Sequence, residues 1–202
     1  MGEKEILILE KAKDEELVYN WIEAAKLYEQ EAKYYLDKNI LEKVADTLKS
    51  AGYSYERAAE TVERTKDYFE LNKQSGDVYE QAANFFNQIG NSAEELECKA
   101  EIYYVRGLIA NTAKETKMLF SQSYEFFINS SEYYRENNDK KRLARTLNRA
   151  ALISWYILNY CSDQKEIEQL CKRCIELGEK AWSLSKEVKN YQAMVESILT
   201  IS

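Results

Sequence analysis

The chain has 202 residues and a net charge of −7, with 28 Lys and Arg against 35 Asp and Glu; it contains neither proline nor histidine. Without histidine there is no imidazole acid–base pair, no His-assisted Ser or Cys nucleophile and no His-containing zinc site, and the acidic balance argues against general nucleic-acid binding, which requires a basic footprint. The charge is uneven: residues 1–100 hold 13 basic against 22 acidic side chains, so the second half is slightly basic and partners are expected to differ along the chain.

In chain order, the amino terminus carries only a four-residue apolar run, Ile6–Leu9, with no cleavage pattern, and Gly2 lacks the downstream Ser or Thr of a myristoylation signal. The most apolar stretch, Ala150–Leu158, is too short to span a bilayer. The expectation is a cytoplasmic protein with no transmembrane segment. Glycine is scarce and no Gly/Ser-rich linker appears, so a single domain over 1–202 is expected.

Periodicity predicts helices over 15–37, 40–63, 66–89, 92–111, 114–136, 140–160, 163–188 and 190–202, with 3–12 as a short leading helix or an extension of the first. Capping-box spacing marks starts at Ser92…Glu95 and Thr112…Glu115, and Asp163…Glu166 resembles it. Ser75-Gly76 is a weak spot inside the third segment, but its aligned counterpart Ser123-Tyr124 carries no breaker, so a continuous helix is preferred.

The segments repeat. Leu27-Tyr-Glu-Gln-Glu-Ala-Lys-Tyr-Tyr35 aligns with Val78-Tyr-Glu-Gln-Ala-Ala-Asn-Phe-Phe86 at an offset of 51, and residues 71–91 align with 119–139 at an offset of 48. A weaker copy starts at Gly178. Each copy ends in residues that tolerate left-handed or turn conformations: Asp37-Lys-Asn39, Gly90-Asn91, Asn137-Asn-Asp139 and Lys189-Asn190. The unit is therefore helix–turn–helix, about 50 residues long. Adjacent aromatic pairs such as Tyr34-Tyr35, Phe85-Phe86 and Tyr133-Tyr134 point about 100° apart on a helix, so one ring packs within a hairpin and the other on the next. The expected fold is all-α: about four antiparallel hairpins in a right-handed α-α superhelix.

Tyr28-Glu-Gln through Tyr34-Tyr35, followed by Lys43-Val-Ala-Asp-Thr-Leu-Lys-Ser-Ala-Gly-Tyr53, resembles the helical repeats of soluble NSF attachment proteins (SNAPs) and, more broadly, tetratricopeptide-like (TPR) domains. Ala51-Gly52-Tyr-Ser-Tyr55 resembles the small-residue and aromatic spacing of a tetratricopeptide first helix. The resemblance covers residues 20–140 and implies a curved array that binds proteins. The repeat departs from the tetratricopeptide length of about 34 residues, lacks its closing proline, and the chain is short for the carboxy-terminal bundle of a full SNAP; SNARE-complex disassembly is not implied.

The candidate contact residues are few. Arg142, Arg145 and Arg149, after Lys140 and Lys141, form a basic stripe at helical spacing suited to an acidic peptide, a terminal carboxylate or a phosphate, the alternative being a solvated face paired with acids of an adjacent helix. Tyr28 and Tyr79, at equivalent repeat positions, line a concave groove or pack in the core. Cys171 and Cys174 form a C-x-x-C, but no histidine or second C-x-x-C completes a zinc site, and the amphipathic context favours packing over a redox or metal role. Carboxylate pairs such as Glu94-Glu95 fall at helix starts, where they complement the dipole. No phosphate loop or nucleophile motif is present and no cofactor is implied.

These features favour a binding scaffold for a peptide or helix of a partner protein over an enzyme. A second reading is an amino-terminal regulatory or sensing domain of a larger signalling protein, and a third is homodimerisation; both are motivated by Val195, Ile198, Leu199 and Ile201, which leave the carboxy-terminal helix apolar without a polar cap.

Overall fold

Turn chemistry sets the helix boundaries. The computed structural model describes residues 3–190 and residue 194. Among them are eight helices and no strand: α1 (Glu3–Leu17), α2 (Trp21–Asp37), α3 (Leu41–Ala59), α4 (Thr65–Gln88), α5 (Ser92–Leu108), α6 (Ala113–Glu136), α7 (Lys140–Leu158) and α8 (Gln164–Glu187). The all-α class is as expected. The expected segment 190–202, with the apolar residues invoked for dimerisation, lies outside the described residues apart from its first residue and Met194. No described helix is long and apolar enough to cross a membrane.

One turn recurs five times among the described residues. Tyr19, Asn39, Gly90, Asn138 and Lys189 have φ of 61°, 55°, 72°, 55° and 56°. Each left-handed residue donates its N–H three residues back, and the next residue donates five back: Asn39 to Leu36 and Ile40 to Tyr35, for example, or Asn138 to Arg135 and Asp139 to Tyr134. This closure satisfies carbonyls that the helix end leaves open. The last four turns recur at the spacing read from the sequence. The first corrects that reading, because Tyr19 interrupts the expected helix 15–37 and separates α1 from α2.

The remaining connections, 60–64, 109–112 and 159–163, lack a left-handed residue. Two of them end in the expected caps: the Thr112 side chain accepts from the N–H of Glu115, and that of Asp163 from Glu166. Glu115 returns the favour by accepting from the N–H of Asn111. The cap expected at Ser92 is one residue earlier, since Asn91 accepts from Glu94 and Ser92 is the first helical residue.

Two compact units result, Met1–Ile109 and Ala110–Ser202. In the first, α1 to α5 pack each on the next. Tyr28 and Tyr35 of α2, Tyr55 of α3 and Tyr79 and Phe86 of α4 are buried among alanines that let the helices approach. Gly52 marks a close crossing: a Cβ there would lie 2.9 Å from three atoms of the Tyr79 ring. Ser75 donates from Oγ to the Gly52 carbonyl at 2.8 Å, and a Cβ on Gly76 would lie 3.3 Å from Val105. The small pair at 75–76 therefore serves close approach, and α4 runs through it unbroken.

In the second unit α7 packs on both α6 and α8. Its buried side chains include Phe120, Phe127 and Tyr134 from α6, Leu143, Leu147 and Ile153 from α7, and Leu170 and Cys174 from α8. Phe127 takes the register of Tyr28 and Tyr79, and all three are buried.

Candidate functional site

The site is built on the start of α7. Asp139 caps this helix, its Oδ1 accepting from the N–H of Arg142 at 3.0 Å. Leu143, Ala144, Leu147, Ala150 and Ala151 bury one face, which turns Lys141, Arg142 and Arg145 outward; Arg149, a turn further on, is half-buried. Lys141, Arg142 and Arg145 line a recess of about 410 Å³ together with Asp139 and Asn190. Asp139 and Asn190 are the same position of two successive left-handed turns, 51 residues apart. The recess thus lies where the entry to α7 meets the exit from α8, and Lys140 pairs with Glu187 beside it.

Each arginine has a definable environment. The Arg142 guanidinium stands 5.9 Å from the Tyr134 ring centroid, and its Nη1 is 3.6 Å from Asp139 Oδ2. Arg149 stands 5.8 Å from the Phe127 ring. Cations over ring faces are held by the ring quadrupole while the head stays near water. The recess therefore brings together Arg142 and Arg145 of the expected stripe, whereas Arg149 belongs to the α6–α7 packing.

The repeat supplies an internal comparison. Shifted back by 99 residues, the five lining positions become Ile40, Glu42, Lys43, Asp46 and Asn91. Lys43 stands 4.7 Å over the Tyr35 ring, and Arg142 5.9 Å over Tyr134, so that cation–ring pair occurs in both of these copies. Lys141 and Arg145 are different: they replace Glu42 and Asp46, and each substitution reverses a charge. The same register is therefore acidic in the first unit and basic in the second.

Shifted back by 48, the stripe Arg142, Arg145, Arg149 falls on Glu94, Glu97 and Glu101 of α5. All three glutamates are buried, and Lys49 of α3 forms ion pairs with Glu94 and Glu97. Reading Glu94 only as a dipole partner missed this. The signal was in the sequence: three carboxylates at i, i+3 and i+7, in register with the arginines.

Tyr28 and Tyr79 do not line a groove. At 4% and 2% exposure they are core residues of the first unit. Burial first, then the charge and hydrogen bond of Glu16, push the Tyr28 hydroxyl above the ordinary tyrosine range. The Tyr79 hydroxyl reaches Glu56 at 3.5 Å. Their equivalence in the repeat reflects equivalent packing.

Cys171 is exposed, whereas Cys174 is buried with its thiol 3.4 Å from the Ala151 carbonyl. The two side chains therefore meet different surroundings, and burial, then the neighbouring Cys171, push the Cys174 thiol up. Among the described residues no three His, Cys, Asp or Glu side chains converge in a metal-holding group.

No family model matches the chain, and a search of curated proteins finds no relative. A solved structure described as "DHF58 filament" aligns over 98% of this chain and 89% of its own, at 13% identity and a TM-score of 0.27. A likeness that loose carries no argument.

Proposed function

We propose that the chain is a protein-interaction module, a SNAP-like or tetratricopeptide-like set of hairpins, in which the α7 recess receives an acidic segment of a partner protein. The observation that carries this reading is the double charge reversal at Lys141 and Arg145 against Glu42 and Asp46 in the same register. The repeat accommodates either sign at these positions, and Lys141 and Arg145 give this recess the charge that an acidic segment complements. The described lining offers guanidinium, ammonium and amide donors, groups suited to holding an anionic segment.

Fluorescence anisotropy with labelled acidic, neutral and basic peptides of equal length tests this reading. The acidic peptide is expected to bind most tightly, and the preference to weaken as salt rises, because exposed charges are screened over about 8 Å at physiological ionic strength. Lys141→Glu with Arg145→Asp restores the residues of the first unit and is expected to weaken acidic-peptide binding about tenfold. Equal binding of all three peptides, or unchanged binding by the double variant, contradicts the proposal.

A further inference from the structure

Of the five left-handed turns among the described residues, the first differs from the rest. In the later copies the three residues ending at the left-handed position are Asp37-Lys38-Asn39, Gln88-Ile89-Gly90, Glu136-Asn137-Asn138 and Glu187-Val188-Lys189. Each of those holds at most one apolar side chain. In the first copy they are Leu17-Val18-Tyr19, exposed to 77%, 69% and 74%. Tyr19 enters the left-handed region with neither a glycine's freedom nor an asparagine's tolerance. The surrounding charge is one-sided as well. From Asp14 to Ala25 there are four carboxylates, Asp14, Glu15, Glu16 and Glu23, and no Lys or Arg. Three of them stand in the last turn of α1, which has no basic residue, where the helix end already carries negative partial charge. Glu15 accepts from the Asn20 amide at 2.7 Å and Glu16 from the Ser54 hydroxyl at 3.2 Å, neutral donors that leave both charges in place.

Exposed apolar side chains, a left-handed tyrosine and an acidic helix end each work against the isolated fold, and they coincide at one turn. Local rules are broken together in this way at functional sites, and exposed apolar clusters mark contact surfaces. The rings behind the tip are ordered. Trp21 packs on the core, and Tyr19 and Tyr53 meet it edge-to-face with centroids 6.1 Å away. Tryptophan and tyrosine held in this way are the anchors of many protein contacts. Charge then selects the occupant: apolar groups must meet the tip while cations face its carboxylates. We infer that the α1–α2 turn docks a basic amphipathic helix of a partner protein, its apolar stripe on Leu17-Val18-Tyr19 and its Lys or Arg flanks toward the surrounding carboxylates. An anionic membrane suits the tip less, because segments that lie on membranes pair their apolar face with Lys and Arg. The surface belongs to the first unit and does not rest on the reading of the α7 recess.

The test uses the intact chain with Trp155 and Trp182 changed to phenylalanine, so that fluorescence reports Trp21, and three peptides of equal length. One is a helix with Leu on one face and Lys on the other; the second has Glu for every Lys, and the third has Gln for every Leu. The Leu/Lys peptide is expected to shift Trp21 emission and to bind at least about tenfold more tightly than either control. Leu17→Asp/Val18→Lys/Tyr19→Asn installs the residues of the second turn at unchanged net charge. It is expected to keep the helical circular dichroism and to lose at least about tenfold in affinity, with Leu17→Ser/Val18→Ser in its place should it misfold. Asp14→Asn/Glu15→Gln is expected to weaken binding about threefold and to flatten its dependence on salt. Equal binding of the three peptides, or unchanged binding by the turn variants, overturns the proposal. Pelleting with phosphatidylcholine or phosphatidylserine vesicles that the turn variant abolishes assigns the tip to lipid and overturns it too. Concentration-dependent dimerisation lost in the same variant assigns the tip to a second copy, with the same consequence.

Discussion

Tyr79→Ala is expected to lower stability by about 3–5 kcal/mol, the range for removing a fully buried aromatic ring, and to reverse the sign of a second substitution at Gly52. Alone, Gly52→Ala sets two effects against each other. Alanine gains about 1 kcal/mol of helix propensity over glycine. Its Cβ would stand 2.9 Å from the Tyr79 ring, however, and overpacking of that kind costs about 1–3 kcal/mol. The ring has little freedom to yield, since it is 2% exposed and its hydroxyl is 3.5 Å from Glu56. The net expectation is a loss of about 1–2 kcal/mol, with overpacking at the upper part of its range. With Tyr79 already alanine, the obstacle is gone and Gly52→Ala is expected to stabilise by up to about 1 kcal/mol. Urea unfolding followed through Trp21, with Trp155 and Trp182 changed to phenylalanine, reports on the first unit. Additive effects of the two substitutions would show that the ring and the glycine are not in contact.

The second large effect concerns Lys49. Its side chain is 19% exposed and pairs with Glu94 and Glu97, whose side chains are 5% and 4% exposed. Removing one partner from a buried ionic cluster leaves charge that water cannot reach, at a cost of about 3–5 kcal/mol. Lys49→Met is expected to lose about that much, and Glu94→Gln with Glu97→Gln in the same chain to recover most of it, because neutral amides need no counter-charge. The same unfolding measurement decides the matter. A loss below about 1 kcal/mol, in the range of exposed pairs, would mean that the cluster is solvated.

Much of the fold was legible because the left-handed turns are written in residues that tolerate them. Asn39, Gly90 and Asn138 need no special pleading, and Asn190 beside Lys189 flagged the fourth turn. Tyr19 escaped because tyrosine carries no turn signal; its φ of 61°, at a local cost of about 1–2 kcal/mol, lies between α1 and α2, which pack on one another. The cap at Asn91 was misplaced by one residue for a plainer reason: Ser92 and Asn91 both have the chemistry, and only geometry separates them. Ser75-Gly76 read as a weak point when considered within one helix. Its role appears only against Gly52 and Val105, which are remote in the chain.

The site divides in the same way. Arg142 and Arg145 share a helix, so their spacing exposed them at once. Asn190 enters the recess from a turn some fifty residues later, and no local pattern announces it. Tyr28 and Tyr79 were found by repetition, but repetition marks equivalent environments without saying whether they are wet or dry. Burial decides that, and it places both in the core. The charge reversal at Lys141 and Arg145 was available to the alignment of the repeats, yet it gains meaning only once the structure gathers those positions around one recess.

Amide hydrogen exchange of the intact chain, with and without a saturating acidic peptide, tests the central claim most directly. The account predicts slowed exchange concentrated at the start of α7, over 140–146, and at the turn around 188–190, with the core amides of α2 to α4 unchanged. Protection that falls instead on the first unit, with 140–146 and 188–190 exchanging as before, would contradict it.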